Sequence, residues 1–126
     1  MPAKPRVKPL PLQVKSKVWL EVDGRPAFGD GKCQWLSLIE ELGSLKAAAT
    51  ALGMSYRGLW GRLRVIERRL GVPLLERHTG GRGGGGTRLT PEGRRFLQAY
   101  RRFRTGINEY VDRRSARMLA EVRRIL

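Results

Sequence analysis

The 126-residue sequence holds one cysteine, Cys33, and one histidine, His78. A single thiol excludes an internal disulfide and a multi-cysteine zinc centre, and it fits a reducing cytoplasm. The histidine lies far from the cysteine in sequence, which gives no ligand set for a metal. Ser55 has no neighbouring histidine–acid pair, and Glu40, Glu41 and Glu67 show no grouping suited to acid–base work. No segment approaches the roughly 20 apolar residues of a membrane span. The N-terminus is basic and proline-rich with no apolar run behind it, unlike a signal peptide. These absences argue against an enzyme, a cofactor and a membrane partner.

Acids are scarce too, at 11 against 26 Lys and Arg, leaving a net charge of +15. A surface so charged repels itself and calls for a polyanion, of which DNA, RNA and anionic lipid are the candidates. The excess is uneven. Residues 16–53 carry four basic and five acidic side chains, residues 54–90 eight and two, and residues 91–126 ten and four. Beyond a basic tail at the N-terminus, the surplus therefore begins at Met54. Hydrophobic residues make up 40% of the chain, enough for one modest core. A domain of this size gains from a partner chain.

Residues 1–14, with Pro2, Pro5, Pro9 and Pro11, read as a flexible basic tail. Lys17 to Val22 is a strand candidate, and Asp23-Gly24 is a two-residue hairpin turn that returns the chain through Arg25–Phe28. A first helix should follow Asp30 as N-cap and bury Leu36, Ile39 and Leu42, with Trp35 beside them; Trp19 is also expected in the core. Gly43 ends it. Ser44 caps a second helix with Leu45, Ala48, Ala49 and Leu52 inward. Gly53-Met54-Ser55 makes a tight turn, and Ser55 caps a third helix running to about Leu70, stopped by Gly71 and Pro73. Leu74–Thr79 and Thr87–Thr90 read as strands around a glycine-rich stretch. Thr90-Pro91 opens a last helix that runs almost to Leu126. Within it Phe96, Tyr100, Phe103, Ile107 and Tyr110 step by 4, 3, 4 and 3, the spacing of a helix–helix seam.

Two short helices around a glycine turn, with small Ala48 and Ala49 at the crossing, form a helix-turn-helix pattern. In the third helix Leu59, Leu63, Ile66 and Leu70 make one stripe. At 100° per residue Arg57, Gly61, Arg64 and Arg68 fall opposite it, flanked by Tyr56 and Trp60. Such a cationic face, with a glycine to admit close approach, suits the DNA major groove. Arg57 can bind guanine in bidentate fashion, and Tyr56 and Trp60 offer apolar contact with one donor each. A solvated charged face is the plainer reading of that stripe alone. The turn, the caps and the charge step at Met54 favour DNA. The glycine stretch is no nucleotide-binding phosphate loop, since no Gly-Lys-Ser/Thr leads from it into a helix. Bare backbone around Arg82 suits a hairpin wing on a DNA backbone.

The run Gly43-Ser-Leu-Lys-Ala-Ala-Ala-Thr-Ala-Leu-Gly-Met-Ser-Tyr-Arg-Gly-Leu-Trp60 resembles the LysR-type winged helix. Thr79-Gly-Gly-Arg-Gly-Gly-Gly-Gly-Thr-Arg-Leu-Thr-Pro-Glu-Gly93 closely resembles the wing in the N-terminal domain of molybdate-dependent, ModE-type regulators. The likeness covers roughly residues 15–110. It implies an operator-binding winged-helix dimer paired through its terminal helix. Members of that family continue into a β-rich oxyanion-binding module. Nothing after Tyr110 reads as strands, so no small-molecule ligand is expected in this chain.

The expectation is thus a mainly α (α+β) winged helix-turn-helix over residues 15–90, followed by a dimerisation helix over 91–126. It acts as a homodimeric, sequence-specific regulator on double-stranded DNA in the cytoplasm. The alternative is a sequence-tolerant architectural DNA-binder. The DNA-contacting residues are expected to be Ser44, Lys46, Ser55, Tyr56, Arg57, Trp60, Gly61, Arg64 and Arg68, then Thr79, Gly81, Arg82, Gly83 and Arg88 of the wing.

Overall fold

The computed structural model describes residues 10–78 and 86–126. Its elements are β1 (Trp19–Val22), β2 (Arg25–Gly29), α1 (Asp30–Leu42), α2 (Leu45–Leu52), α3 (Tyr56–Leu70), β3 (Leu75–His78), β4 (Gly86–Leu89) and α4 (Pro91–Ile125). They fall into two compact units, one over residues 17–101 and one in which residues 102–126 join the N-terminal segment.

In the first unit, β1 and β2 pair antiparallel through Val22 and Arg25. Asp23 and Gly24 both take positive φ, 50° and 75°. That is the primed turn whose twist matches paired strands. Phe28 on β2 is 1% exposed and is the hub of the core. The rings of Phe96 and Tyr100 meet it edge-on, with centroids 4.7 and 5.0 Å away. Around it lie Leu36 and Ile39 of α1, Ala48 and Ala49 of α2, Leu59, Leu63 and Ile66 of α3, and Leu97 of α4. The winding of α3 thus buries one apolar stripe and turns the basic stripe out.

Each helix ends where its sequence says it should. Gly43, Gly53 and Gly71 close α1, α2 and α3 in the left-handed region, which glycine enters without a Cβ penalty. Thr90 Oγ1 accepts from the Gly93 amide at 2.9 Å and donates to the Pro73 carbonyl at 2.7 Å. α4 begins at Pro91 and passes Gly106 without a break.

Several expectations change. Gly29, in extended backbone, is the residue before α1, while Asp30 is its first helical residue. The Asp30 carboxylate instead accepts from the Tyr100 hydroxyl at 2.5 Å. An acid in the first turn still complements the helix dipole. Trp19 and Leu42, expected in the core, are 49% and 44% exposed. Trp19 lies on a two-stranded ribbon with one face unpacked, where its indole N–H donates to Glu21 at 2.8 Å. β1 starts at Trp19 rather than Lys17, and β3 at Leu75 rather than Leu74.

Tyr100, expected in an intermolecular seam, is 6% exposed and packs on Phe28 of its own chain. Phe96, from the same seam, is half-buried against the same core. A 3.5-residue repeat marks a helix that buries one face without saying whose side chains cover it. In the second unit Phe103 and Tyr110 are 51% and 54% exposed, and Ile107 is half-buried. Arg104 there donates to Ser16, to its Oγ at 2.7 Å and its carbonyl at 2.6 Å. Among the described residues no helix is long and apolar enough to cross a membrane.

Candidate nucleic-acid interface

The turn between α2 and α3 sets the site. Ser44 Oγ accepts from the Ala47 amide at 3.1 Å and so starts α2. Gly53 ends α2 with φ 67°, and the Met54 amide donates to the Ala49 carbonyl at 2.9 Å. Ser55 Oγ then accepts from the Gly58 amide at 3.0 Å and starts α3. Both serines named as candidate contacts thus cap helices through their oxygens, and each hydroxyl keeps its hydrogen to donate. Lys46, Ser55, Tyr56 and Arg57 are exposed at the turn.

On α3, Arg57, Gly61, Arg64 and Arg68 are all exposed, and Leu59, Leu63 and Ile66 are buried opposite them. The outward face carries no acid, since the helix's one carboxylate, Glu67, is 8% exposed. Among the described residues Arg57 and Arg68 make no side-chain hydrogen bond or ion pair, so their donors are free for a ligand. A Cβ added at Gly61 would meet nothing within 4 Å, so packing within the chain does not require this glycine.

Two residues that sequence patterning passed over organise this surface. Glu67 Oε2 accepts the amides of Leu74 and Leu75 at 2.8 and 3.2 Å, and its other oxygen lies 3.4 Å from Arg64. It ties the end of α3 to the start of the wing strand. The clue was its place between Leu63 and Leu70 at helical spacing, on the margin of the buried stripe. Arg77 on β3 donates to Tyr56 Oη at 2.7 Å and lies over the Trp60 ring at 4.5 Å. Arg64 lies over the same indole at 4.7 Å. Trp60 is accordingly half-buried and packed on the core, with two cations on its ring, rather than projecting freely. Local spacing held no sign of Arg77, because the contact joins residues 21 apart.

The wing is rooted by backbone contacts. A Cβ at Gly86 would come 2.7 Å from the Gly43 carbonyl, which accepts from Thr87 N at 3.3 Å. Arg88 and Glu76 face each other across β3 and β4 at 2.7 Å. The Arg88 side chain stays 61% exposed beside this pair. Thr79, Gly81, Arg82 and Gly83 lie outside the described residues. Between the starts of α2 and α3 and the wing base is an open cleft of about 330 Å³, lined by Ser44, Lys46, Tyr56, Arg77 and His78. Two cations and no acid stand on it.

These elements define a winged helix-turn-helix. Residues 33–94 match the model of the bacterial regulatory helix-turn-helix protein, lysR family. The chain belongs to that family. A solved structure of the CbnR DNA-binding domain in complex with DNA superposes with a TM-score of 0.54 and 31% identity, over 70% of this chain and 95% of that one. The molybdenum transport protein ModE of Azotobacter vinelandii is 34% identical over 103 residues, 82% of this chain and 38% of its own length. The transcriptional regulator ModE of Haemophilus influenzae is 43% identical over 65 residues, 52% of this chain and 26% of its own. The chain thus spans between about a quarter and two fifths of these two curated relatives.

Proposed function

We propose that this chain binds double-stranded DNA sequence-specifically and serves as the DNA-binding part of a transcriptional regulator. The observation that carries the reading is the α3 face of Arg57, Gly61, Arg64 and Arg68, exposed, free of acids and backed by a buried apolar stripe. A helix so built presents donors to base edges, with its first turn leading. Arg57 is the bidentate reader of guanine. The wing lies on the adjacent backbone, where Lys46 and Arg77 at its base supply positive charge. The regulatory role is supported by the family and by relatives named as transcriptional regulators.

The chain acts as a homodimer on a two-fold symmetric site. Phe103, Ile107 and Tyr110 are the pairing residues, Phe96 and Tyr100 being occupied within their own chain. Glutamate at both Phe103 and Ile107 should give monomers by sedimentation equilibrium; a surviving dimer would place the interface elsewhere.

Selection from randomised duplexes tests the central reading. A defined, near-palindromic sequence should emerge. Arg57→Ala should weaken its binding by about 1–3 kcal/mol and relax one base position. Each wrong base pair should cost wild type a similar amount, whereas an architectural binder would barely respond. Equal affinity for all sequences would overturn specificity, and binding indifferent to salt would overturn DNA as the ligand.

A further inference from the structure

We propose that Arg77 is a positioning residue that makes Tyr56 a one-way hydrogen-bond donor toward DNA, so that Tyr56 recognises an acceptor atom and rejects a donor. This rests on the DNA-binding reading above and names a determinant of its specificity.

A phenol oxygen has one hydrogen to give and one in-plane lone pair that accepts well. Arg77 Nη2 takes that lone pair at 2.7 Å. A guanidinium cannot accept, so the Tyr56 hydrogen is not directed at Arg77. Among the described residues Tyr56 has no other hydrogen-bond partner, and it is 39% exposed in the first turn of α3. Its O–H is therefore unspent and points away from the guanidinium. Donation from a hydroxyl already polarised by a cation is stronger than from a neutral pair.

Two contacts hold the geometry. The Arg77 guanidinium lies over the Trp60 ring, 4.5 Å from its centroid, and Trp60 is packed on the core. A cation held on an indole loses much of its rotational freedom. Arg77 itself stands on β3, whose adjoining residues Leu74 and Leu75 are tied to α3 through Glu67. The wing strand thereby sets the hydrogen-bonding sense of a side chain on the reading helix. In the major groove the fitting partners are purine N7, guanine O6 and thymine O4, while the amino groups of adenine and cytosine are refused. A phosphate oxygen shares the same acceptor chemistry.

The test uses the full chain and the duplex it selects from a randomised pool. Tyr56→Phe should bind that duplex about tenfold more weakly, the worth of one lost hydrogen bond to a charge-assisted donor. If the acceptor is a purine N7, a 7-deaza base at that position should cost wild type the same factor and leave Tyr56→Phe indifferent. If it is a phosphate, a methylphosphonate should do so instead, and the base-reading role proposed for Tyr56 falls. Arg77→Gln should admit adenine or cytosine amino groups at the position, while Arg77→Lys, still a donor to Oη, should restore the preference. A merely structural Arg77 would weaken all sequences alike and leave base preference untouched. Melting temperatures of the variants control for folding, since both side chains are exposed. The proposal falls if Tyr56→Phe and Arg77→Gln select the wild-type sequence with wild-type affinity, or if their effects on preference are independent. Should wild type select no sequence at all, the DNA reading itself falls first.

Discussion

Replacing Glu67 by alanine would strip the acceptor from two buried amides, those of Leu74 and Leu75, which the carboxylate holds at 2.8 and 3.2 Å. Each orphaned buried donor costs about 1–3 kcal/mol. The Arg64 pair, at 3.4 Å with Arg64 largely exposed, adds little. The sum is about 3 kcal/mol, a large share of the roughly 5–15 kcal/mol that a domain possesses. Glutamine keeps an oxygen in the same place and can accept both amides, but without charge. It should cost about 1 kcal/mol. Urea denaturation followed by circular dichroism measures both, read from the midpoint at unchanged slope. The reasoning is refuted if alanine and glutamine prove equal, which would mean that charge rather than acceptor geometry matters, or if alanine costs under about 1 kcal/mol. Loosening the tie between α3 and β3 should also weaken DNA binding more than the loss of folded protein explains.

Gly61→Ala separates stability from function. Nothing lies near its missing Cβ, so helix propensity alone should stabilise the fold by about 1 kcal/mol, while the extra methyl should weaken binding to the selected duplex. A variant improved in both would show that close approach there is not used. Gly93→Ala should do the opposite to the fold. Its Cβ would run into the Leu74 carbonyl oxygen, with the carbonyl carbon at 3.0 Å, so α4 must shift at a net cost of about 1–3 kcal/mol despite better propensity; an unchanged melting temperature would contradict that packing. Burial, opposed by a hydrogen bond with Ser37 and the nearby Arg101 charge, pushes the Cys33 thiol above its ordinary value. The folded state therefore favours the neutral thiol. This stability is whole below the unfolded thiol's pKa of about 8.5 and declines as pH rises through the folded value. Alkylation by iodoacetamide at pH 8 should be slower in the native chain than in urea, and equal rates would mean that Cys33 is not shielded.

Much was legible one helix at a time. Ser44, Ser55 and Thr90 as caps, Gly43, Gly53 and Gly71 as stops, and Asp23-Gly24 as a turn each follow from the local needs of a few backbone groups. The outward basic stripe of α3 was equally readable, because a helix's own period separates its two faces. What local pattern does not encode is the partner. The repeat Phe96, Tyr100, Phe103, Ile107, Tyr110 is continuous in sequence, yet its first two members are covered by Phe28.

Sequence alone, then, determined where α1, α2 and α3 stop and which side of α3 is cationic, since those depend on neighbours within a turn or two. The tertiary structure decided who meets whom. It brought Arg77 to Tyr56 across 21 residues, Glu67 to the amides of Leu74 and Leu75, and Tyr100 to Asp30 across 70. Those contacts depend on how separate elements pack, a matter that spacing along the chain leaves open, because the energy of a contact is set by distance in space and not by separation in sequence.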